Sequence, residues 1–500
     1  MTGEHRSGRD FIVEVPAPAV EFNEVYRNFV GSAGYFVANN IYSRLVVFDT
    51  GSPAAYPDLA EHWEMAPDAR TLRFQLNRHA RWHDGEPVTA EDVAYTHLTA
   101  LANGYHAASF LHDVQDIEVL GPHELRYVLR QPNAGFLAQL GNLVFAHILP
   151  KHLYEGTDWA TNPYNQQPVG SGPFRFVEHV PGERVVLEAW DGYWGPRPQV
   201  DRVILDIEPD LDEAVRKVAD GRAHYLVQDV LTFPRLHLAE GSEVASVWRK
   251  RGPGIAVLGF NHTQDRWHDR RARAAIAHAV DRRRLIPLSD PGWSEPYAHY
   301  LPRSVDWAFA DDATAPAFDP AEAVRLLDAA GITSAGADRP TLRLAYMKNF
   351  TGHAGIAAAV AEDLRAVGLD VEVAGLDSPT WARQVAGDAE FDLTISGGNM
   401  VPDPEITASR FETGGGRNHG RLSDPEADAC YAAARATIDQ ARRGEHYQEL
   451  QRVWARNVDW VPLFWYAAYY LRSDSFFGWP DQVGFRVPFW HWGRIRPVER

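Results

Sequence analysis

The fold is decided by residues 341–396, TLRLAYMKNFTGHAGIAAAVAEDLRAVGLDVEVAGLDSPTWARQVAGDAEFDLTIS, in which strand and helix patterns alternate. Short apolar runs bounded by turn residues predict strands, and apolar residues spaced three or four apart predict helices. The predicted elements are strands at 342–346, 370–374 and 391–396 and helices at 355–367 and 379–386. Strand–helix–strand units join parallel strands, so this part of the chain predicts a parallel sheet covered by helices.

The preceding chain adds a β-rich portion and further helices. Alternating apolar and polar residues predict a half-buried strand at 70–76. Thr89, followed by Asp92 three residues later, predicts a helix start with a capping box. The apolar spacing predicts one helix over 269–285, and Asp319 caps another.

The composition is that of a globular protein and excludes several classes of partner. The chain has 500 residues, with 49 Lys and Arg against 67 Asp and Glu, a net charge of -18. This charge disfavours nucleic acid and anionic lipid surfaces as partners. Cys430 is the only cysteine, which excludes an intrachain disulfide and a thiolate metal cluster. Without an apolar run of about 20 residues, no membrane span is expected, and the N-terminus predicts no secretory leader.

Short motifs spread along the chain carry a family resemblance. They are PDLAEHWE at 57–64, RWHDGEPVTAEDV at 81–93, VGSGPF at 169–174, GFNHT at 259–263, RARAAIAHAVD at 271–281, DPEAD at 424–428 and VPL at 461–463. In this order, over residues 40–465, they resemble the extracytoplasmic solute-binding proteins of peptide- and nickel-type ABC importers, solute-binding protein family 5.

The resemblance implies an α/β, two-lobed periplasmic-binding-protein-like fold (Venus flytrap, type II, the large cluster with three subdomains). The chain is expected to cross between lobes near 170–175, 258–262 and 478. The expected subdomains are a lobe I core of 1–48, 172–258 and 479–500, a lobe I accessory subdomain of 49–171, and a lobe II α/β subdomain of 259–478.

The resemblance also implies that a peptide-like or amphipathic small molecule binds in a cleft between the lobes, for ABC-type import. Aromatic rings provide contact area, while one acid and one arginine orient charged ends of the ligand. The candidate ligand-binding residues are Tyr35, Phe36, Trp381, Asn399, Asp403, Arg410, Phe464, Trp465 and Tyr466. Any one of these aromatic residues packs in a core about as often as it contacts a ligand.

The loop after the strand at 391–396, GGNMVPDP at 397–404, departs from the family pattern. The family usually has Trp where Gly398 stands, and an acid that binds the ligand amine where Met400 and Val401 stand. The missing Trp is expected to leave room for a bulkier or flatter ligand. Asp403 is a candidate substitute for the amine-binding acid and also fits a structural aspartate. Gly414–Gly416 beside Arg417 is a candidate anion-binding loop or a mobile surface loop.

A second hypothesis is a cytoplasmic biosynthetic enzyme on the same fold. It follows from the missing leader: the chain is extracytoplasmic if a leader has been removed, and cytoplasmic if Met1 is the native start. The enzyme would catalyse a condensation or cyclisation of Pictet–Spengler type, with Asp403, Glu405 or His491 as acid–base groups. A third hypothesis is a cytoplasmic sensor or chaperone for a small molecule.

No cofactor or metal site is predicted. The expected partners are a small-molecule or short-peptide ligand and ABC permease subunits, with the chain as a monomer.

Overall fold

The computed structural model describes residues 9–27, 32–48, 54–141, 146–227, 233–289, 296–332, 341–348, 352–400, 403–479 and 492–498. The chain forms two compact units. Unit 1 comprises Met1–Lys250 and Ala468–Arg500, and unit 2 comprises Arg251–Ala467. Unit 2 therefore differs in its bounds from the predicted lobe II at 259–478, and the division into three subdomains stays a prediction.

Unit 1 is rich in strands, as the first part of the sequence predicts. Its strands are β1 (Asp10–Val15), β2 (Val46–Phe48), β3 (Ala55–Pro57), β4 (Ala60–Met65), β5 (Thr71–Leu76), β6 (Val114–Gly121), β7 (Glu124–Leu129), β8 (Phe174–Val180), β9 (Arg184–Ala189), β10 (Arg202–Ile207) and β11 (Tyr225–Leu226). Its helices are α1 (Ala33–Ile41), α2 (Ala90–Asn103), α3 (Ala108–Leu111), α4 (Phe136–Leu140), α5 (Lys151–Tyr154) and α6 (Leu211–Ala219). Strands β4–β7 form an antiparallel sheet in the order β4-β5-β7-β6.

The larger sheet of unit 1 contains the order β11-β1-β10-β9-β8, in which β1 is parallel to β10 and β11. The predicted capping box is confirmed, because the Asp92 carboxylate accepts a hydrogen bond from the Thr89 backbone N–H at 2.8 Å. The chain passes from one unit to the other within β12 (Ala245–Phe260) and again within β16 (Trp460–Ser473). Unit 1 ends with β17 (Phe476–Phe477) and β18 (Arg496–Pro497).

Unit 2 contains the sheet order β14-β13-β15-β12-β16. Its other elements are α7 (Arg270–Ala279), α8 (Arg282–Ser289), α9 (Pro320–Ala329), β13 (Thr341–Met347), α10 (His353–Ala366), β14 (Asp370–Leu376), α11 (Ser378–Trp381), β15 (Leu393–Asn399), α12 (Ala408–Phe411), α13 (Pro425–Arg435) and α14 (Gln440–Asn457). Strand β13 is parallel to both β14 and β15, as the alternating pattern of 341–396 predicts. Helix α10 buries Ile356, Val360 and Leu364, one turn apart, in the core beside this sheet.

One helix prediction is wrong. The structure divides the helix expected over 269–285 into α7 and α8. Val280 adopts an extended conformation, and the backbone N–H of Asp281 donates to the Asp363 carboxylate at 3.0 Å. The Asp281 carboxylate then accepts from the Arg283 backbone N–H at 3.0 Å. A local cap therefore outweighs continuous apolar spacing at this point.

Candidate functional site

The end of strand β15 places two glycines against two long side chains of unit 2. Gly397 and Gly398 lie at the end of β15, opposite Ala256 and Ile255 of β12. A Cβ atom at Gly397 would lie 2.7 Å from the Tyr466 hydroxyl oxygen, and one at Gly398 would overlap the guanidinium of Arg410. The side-chain space beside Gly398, expected to be open for a ligand, is therefore taken by Arg410.

Arg410 is a half-buried cation that has no counter-ion in the part of the chain that the structure describes. It lies on the short helix α12. Among the residues that the structure describes, no carboxylate forms an ion pair or hydrogen bond with its guanidinium. Burial, with added repulsion from Arg417, lowers the pKa of Arg410 to about 10, still well above neutrality. Its charge is thus available to an anion.

The loop after α12 adds positive charge near Arg410. Arg417 is exposed, and its backbone N–H donates to the Ser409 carbonyl at 2.7 Å, which holds the loop against α12. Burial, together with repulsion from Arg410, Arg421 and Arg417, lowers the pKa of the nearby His419 to about 4. His419 is therefore neutral at pH 7.

Tyr466 is held in place by a buried histidine. The hydroxyl of Tyr466 on β16 lies 3.0 Å from Nε2 of His353, the first residue of α10, and the two rings are stacked. Burial lowers the pKa of His353 to about 4, so this histidine is neutral. The Phe464 ring packs edge-on against Tyr466 with its centroid at 5.3 Å. We call Gly397, Gly398, Arg410, Tyr466 and His353 the Arg410 site.

The two predicted acidic residues lie in a separate, fully paired cluster. Both Asp403 oxygens accept from Arg443, at 2.6 and 2.7 Å, and Asp403 also caps the turn at Pro404–Thr407 by accepting from the Glu405 backbone N–H. Glu405 accepts from Arg435 Nε at 2.7 Å and from the Tyr447 hydroxyl at 3.2 Å. Burial, opposed by Arg435, raises the pKa of Glu405 to about 7.

Arg435 also donates to both oxygens of Glu412 at 2.6 Å. We call Asp403, Glu405, Glu412, Arg435 and Arg443 the Arg443 network. Its three carboxylates and two arginines bind one another, so the hydrogen-bonding capacity of these carboxylates is largely used within the unit.

The remaining candidates are mostly core residues. Trp381 is buried in a small cluster with Leu376 and Phe391, and Trp465 is buried in another cluster with Tyr297, at a ring distance of 5.1 Å. Phe464 is fully buried in the main core of unit 2.

Tyr35 and Phe36 lie on α1 in unit 1, 1% and 3% exposed, where Phe36 stacks on Trp492. His491 and the side chain of Asn399 lie outside the described part of the chain. Of the nine ligand candidates, the Arg410 site therefore brings together Arg410 and Tyr466. Sequence reasoning missed His353, and the anion-binding role of Gly414–Gly416 stays a prediction.

Unit 1 has a cavity of about 120 Å³ that contains none of the predicted residues. Arg44 and Asp58 both line it, and the Arg44 backbone N–H donates to the Asp58 carboxylate at 2.8 Å. Burial raises the pKa of Asp58 to about 6, against the effect of the neighbouring Arg44. Opposite charges therefore meet inside this cavity, unlike at Arg410.

The described residues offer no sign of a metal site or a membrane span. They contain no group of three or more His, Cys, Asp or Glu side chains placed to hold a metal ion. No helix in this part of the chain combines the length and the apolar character needed to cross a bilayer. A half-buried arginine lies instead beside glycine backbone at the end of β15, in the α/β sheet of unit 2.

The family follows from the comparison with known sequences. The family model described as bacterial extracellular solute-binding proteins, family 5, matches residues 54–418, and the chain belongs to this family. A Brucella ovis protein provisionally assigned as an ABC transporter peptide-binding protein is 28% identical, over 91% of this chain and 87% of its own. The dipeptide-binding protein of Escherichia coli is 26% identical, over 83% of this chain and 81% of its own.

The predicted periplasmic-binding-protein fold is confirmed by solved structures. The ABC transporter substrate-binding protein CtaP of Listeria monocytogenes superposes with a TM-score of 0.85, covering 98% of this chain and 99% of its own at 21% identity. At that identity the likeness establishes the fold and leaves the ligand open.

Proposed function

We propose that the protein is a non-catalytic solute-binding protein that captures a peptide-like or amphipathic small molecule and presents it to an ABC importer. Membership of the family supports this function, as do the relatives named for peptide and dipeptide binding. The proposed location is extracytoplasmic, in keeping with the extracellular family, and the proposed partners are the permease subunits of the importer.

The observation that carries the proposal is the Arg410 site. A half-buried cation without an internal carboxylate partner is costly unless it has another use. Here it lies beside the half-buried backbone of Gly397 and Gly398 and near a tyrosine whose hydroxyl lies 3.0 Å from Nε2 of His353. Such a set provides one charged anchor, a hydrogen-bonding edge and an aromatic surface for one end of a ligand.

The enzymatic alternative has less support. Its acid–base candidates Asp403 and Glu405 are engaged by Arg443 and Arg435 inside the Arg443 network. The relatives are named as binding proteins, and none of those compared supports a condensation or cyclisation. We therefore propose binding without chemistry.

The test has two stages. Native mass spectrometry of the full chain, followed by denaturation, identifies any small molecule that copurifies. A pool of random tripeptides is then titrated while tryptophan fluorescence is recorded. We expect saturable binding that is at least tenfold weaker in Arg410→Met. The control is Arg452→Met, which removes an arginine paired with Asp312 at 2.9 Å elsewhere in unit 2 and should leave the affinity unchanged. Absence of both a copurified molecule and any tripeptide binding would contradict the proposal.

A further inference from the structure

The Arg410 site is positive in a chain that is strongly negative. The net charge of the protein is -18, yet repulsion from neighbouring arginines adds to burial in lowering the pKa values of Arg410 and His419. Carboxylates outnumber cations over the whole chain, so most arginines have carboxylates available as partners. A half-buried arginine that has none among the described residues is therefore a candidate to bind an anionic ligand.

No acid of this segment is placed to bind an ammonium group. Residues 397–402, GGNMVP, contain no carboxylate, and Met400 is fully buried. The next acids along the chain are Asp403, Glu405 and Glu412, and each of them is bound by Arg443 or Arg435. Freeing one of these carboxylates for a ligand would leave a buried arginine unpaired, which is strongly destabilising.

We infer that the ligand is recognised through a carboxylate bound by Arg410 and needs no free amino group, so that the substrate class is peptides and amino-acid derivatives that carry a free carboxylate, with or without a free amine. This inference rests on the proposed function and specifies its substrate. Arginine suits the task because its planar fork binds both oxygens of a carboxylate. Tyr466 and the glycine backbone then lie beside the bound end group.

The experiment compares end groups within one mixture. A random tripeptide pool is prepared in four forms: free at both ends, N-acetylated, C-amidated, and blocked at both ends. The full chain is incubated with equal amounts, and the bound peptides are counted by native mass spectrometry. We expect the two forms with a free carboxylate to be enriched at least tenfold over the amides. N-acetylation should change binding less than about threefold.

Variants separate a ligand contact from a structural role. In Arg410→Met the preference for a free carboxylate should fall below twofold, while the melting temperature stays the same or rises, since an unpaired half-buried charge has been removed. Arg452→Met should retain the preference. If Arg410→Met does not fold, Arg410→Gln is measured for the same loss of preference.

The outcomes distinguish the inference from the function. Binding that requires a free amine and ignores the carboxylate overturns the inference and leaves the proposed function standing. A carboxylate preference that survives in both Arg410 variants also overturns it. Failure of all four forms to bind contradicts the proposed function, and the inference falls with it.

Discussion

Two arginines of unit 2 illustrate opposite uses of a buried charge. The side chain of Arg443 is 8% exposed and donates to both carboxylate oxygens of Asp403. This pair helps to hold Asp403 in place. Arg410 is half-buried beside Gly398 and has no carboxylate partner among the described residues. The first charge is paired within the fold, whereas the second is the one that we propose a ligand pairs. Pairing, more than burial, therefore distinguishes a structural arginine from a candidate ligand-binding one.

The largest effect is expected from breaking the paired arginine. Arg443→Met leaves the Asp403 carboxylate buried without its partner, so the free energy of unfolding should fall by about 3–5 kcal/mol. Urea denaturation measures it. The control Arg452→Met removes an arginine whose side chain is 39% exposed and should cost less than about 1 kcal/mol. Equal losses in the two variants would show that the Arg443 network is no more important than a surface ion pair.

A buried histidine of unit 1 extends the comparison to pH. His97 is fully buried, its Nδ1 lies 2.6 Å from the Tyr127 hydroxyl, and burial lowers its pKa to about 4. The neutral form is therefore favoured in the folded state. The stability it provides is complete above the unfolded pKa of 6.5 and is lost as the pH falls toward 4.

The expected loss between pH 7 and pH 5 from this histidine is about 2 kcal/mol of unfolding free energy. His97→Gln should flatten that part of the pH profile, whereas the exposed His79→Gln should not. An unchanged slope in His97→Gln would mean that His97 accepts a proton in the folded protein as readily as in the unfolded one.

Gly398→Ala tests the unpaired arginine without removing it. The added Cβ would overlap the guanidinium of Arg410. The guanidinium must then move, because the end of an arginine side chain is more flexible than the strand backbone. We expect tripeptide affinity to fall about tenfold, equivalent to about 1.4 kcal/mol. Because Gly398 has a φ of 156°, which L side chains rarely adopt, the unfolding free energy should fall as well. The matched control is Gly416→Ala, where the Cβ meets nothing within 4 Å. An affinity that is unchanged in Gly398→Ala would separate Arg410 from the ligand.

The parts that could be predicted from sequence are those set by local chemistry. Strands β13, β14 and β15 and the Thr89 cap follow from residue spacing and from contacts within a few residues. The sequence also showed that Gly398 departs from the family pattern, but it did not show which side chain would occupy the space beside this glycine. That Arg410 takes the adjacent space depends on how α12 packs against β15, which spacing along the chain does not determine.

Long-range pairs explain the rest of the difference. Asp403 and Glu405 remained candidates for ligand binding or catalysis because their partners, Arg443 and Arg435, come from helices later in the chain. His353 escaped notice for the same reason, since its partner Tyr466 lies more than a hundred residues away. Predicting a site thus requires knowing which charged side chains are paired with one another in the folded protein, and that pairing is set by tertiary packing.

The smallest effect is expected at Tyr466, and it bears on how the Arg410 site is held rather than on its charge. Tyr466→Phe removes the hydroxyl that lies 3.0 Å from His353 Nε2 but keeps the ring against Phe464. Losing one such hydrogen bond costs about 0.5–1 kcal/mol, so tripeptide affinity should fall two- to fivefold if the bond positions the ring for the ligand. Tyr346→Phe on β13 is the control and should bind normally. A loss in Tyr466→Phe that reached the level of Arg410→Met would mean that the hydroxyl itself contacts the ligand, and that the arginine is not the sole polar anchor of the site.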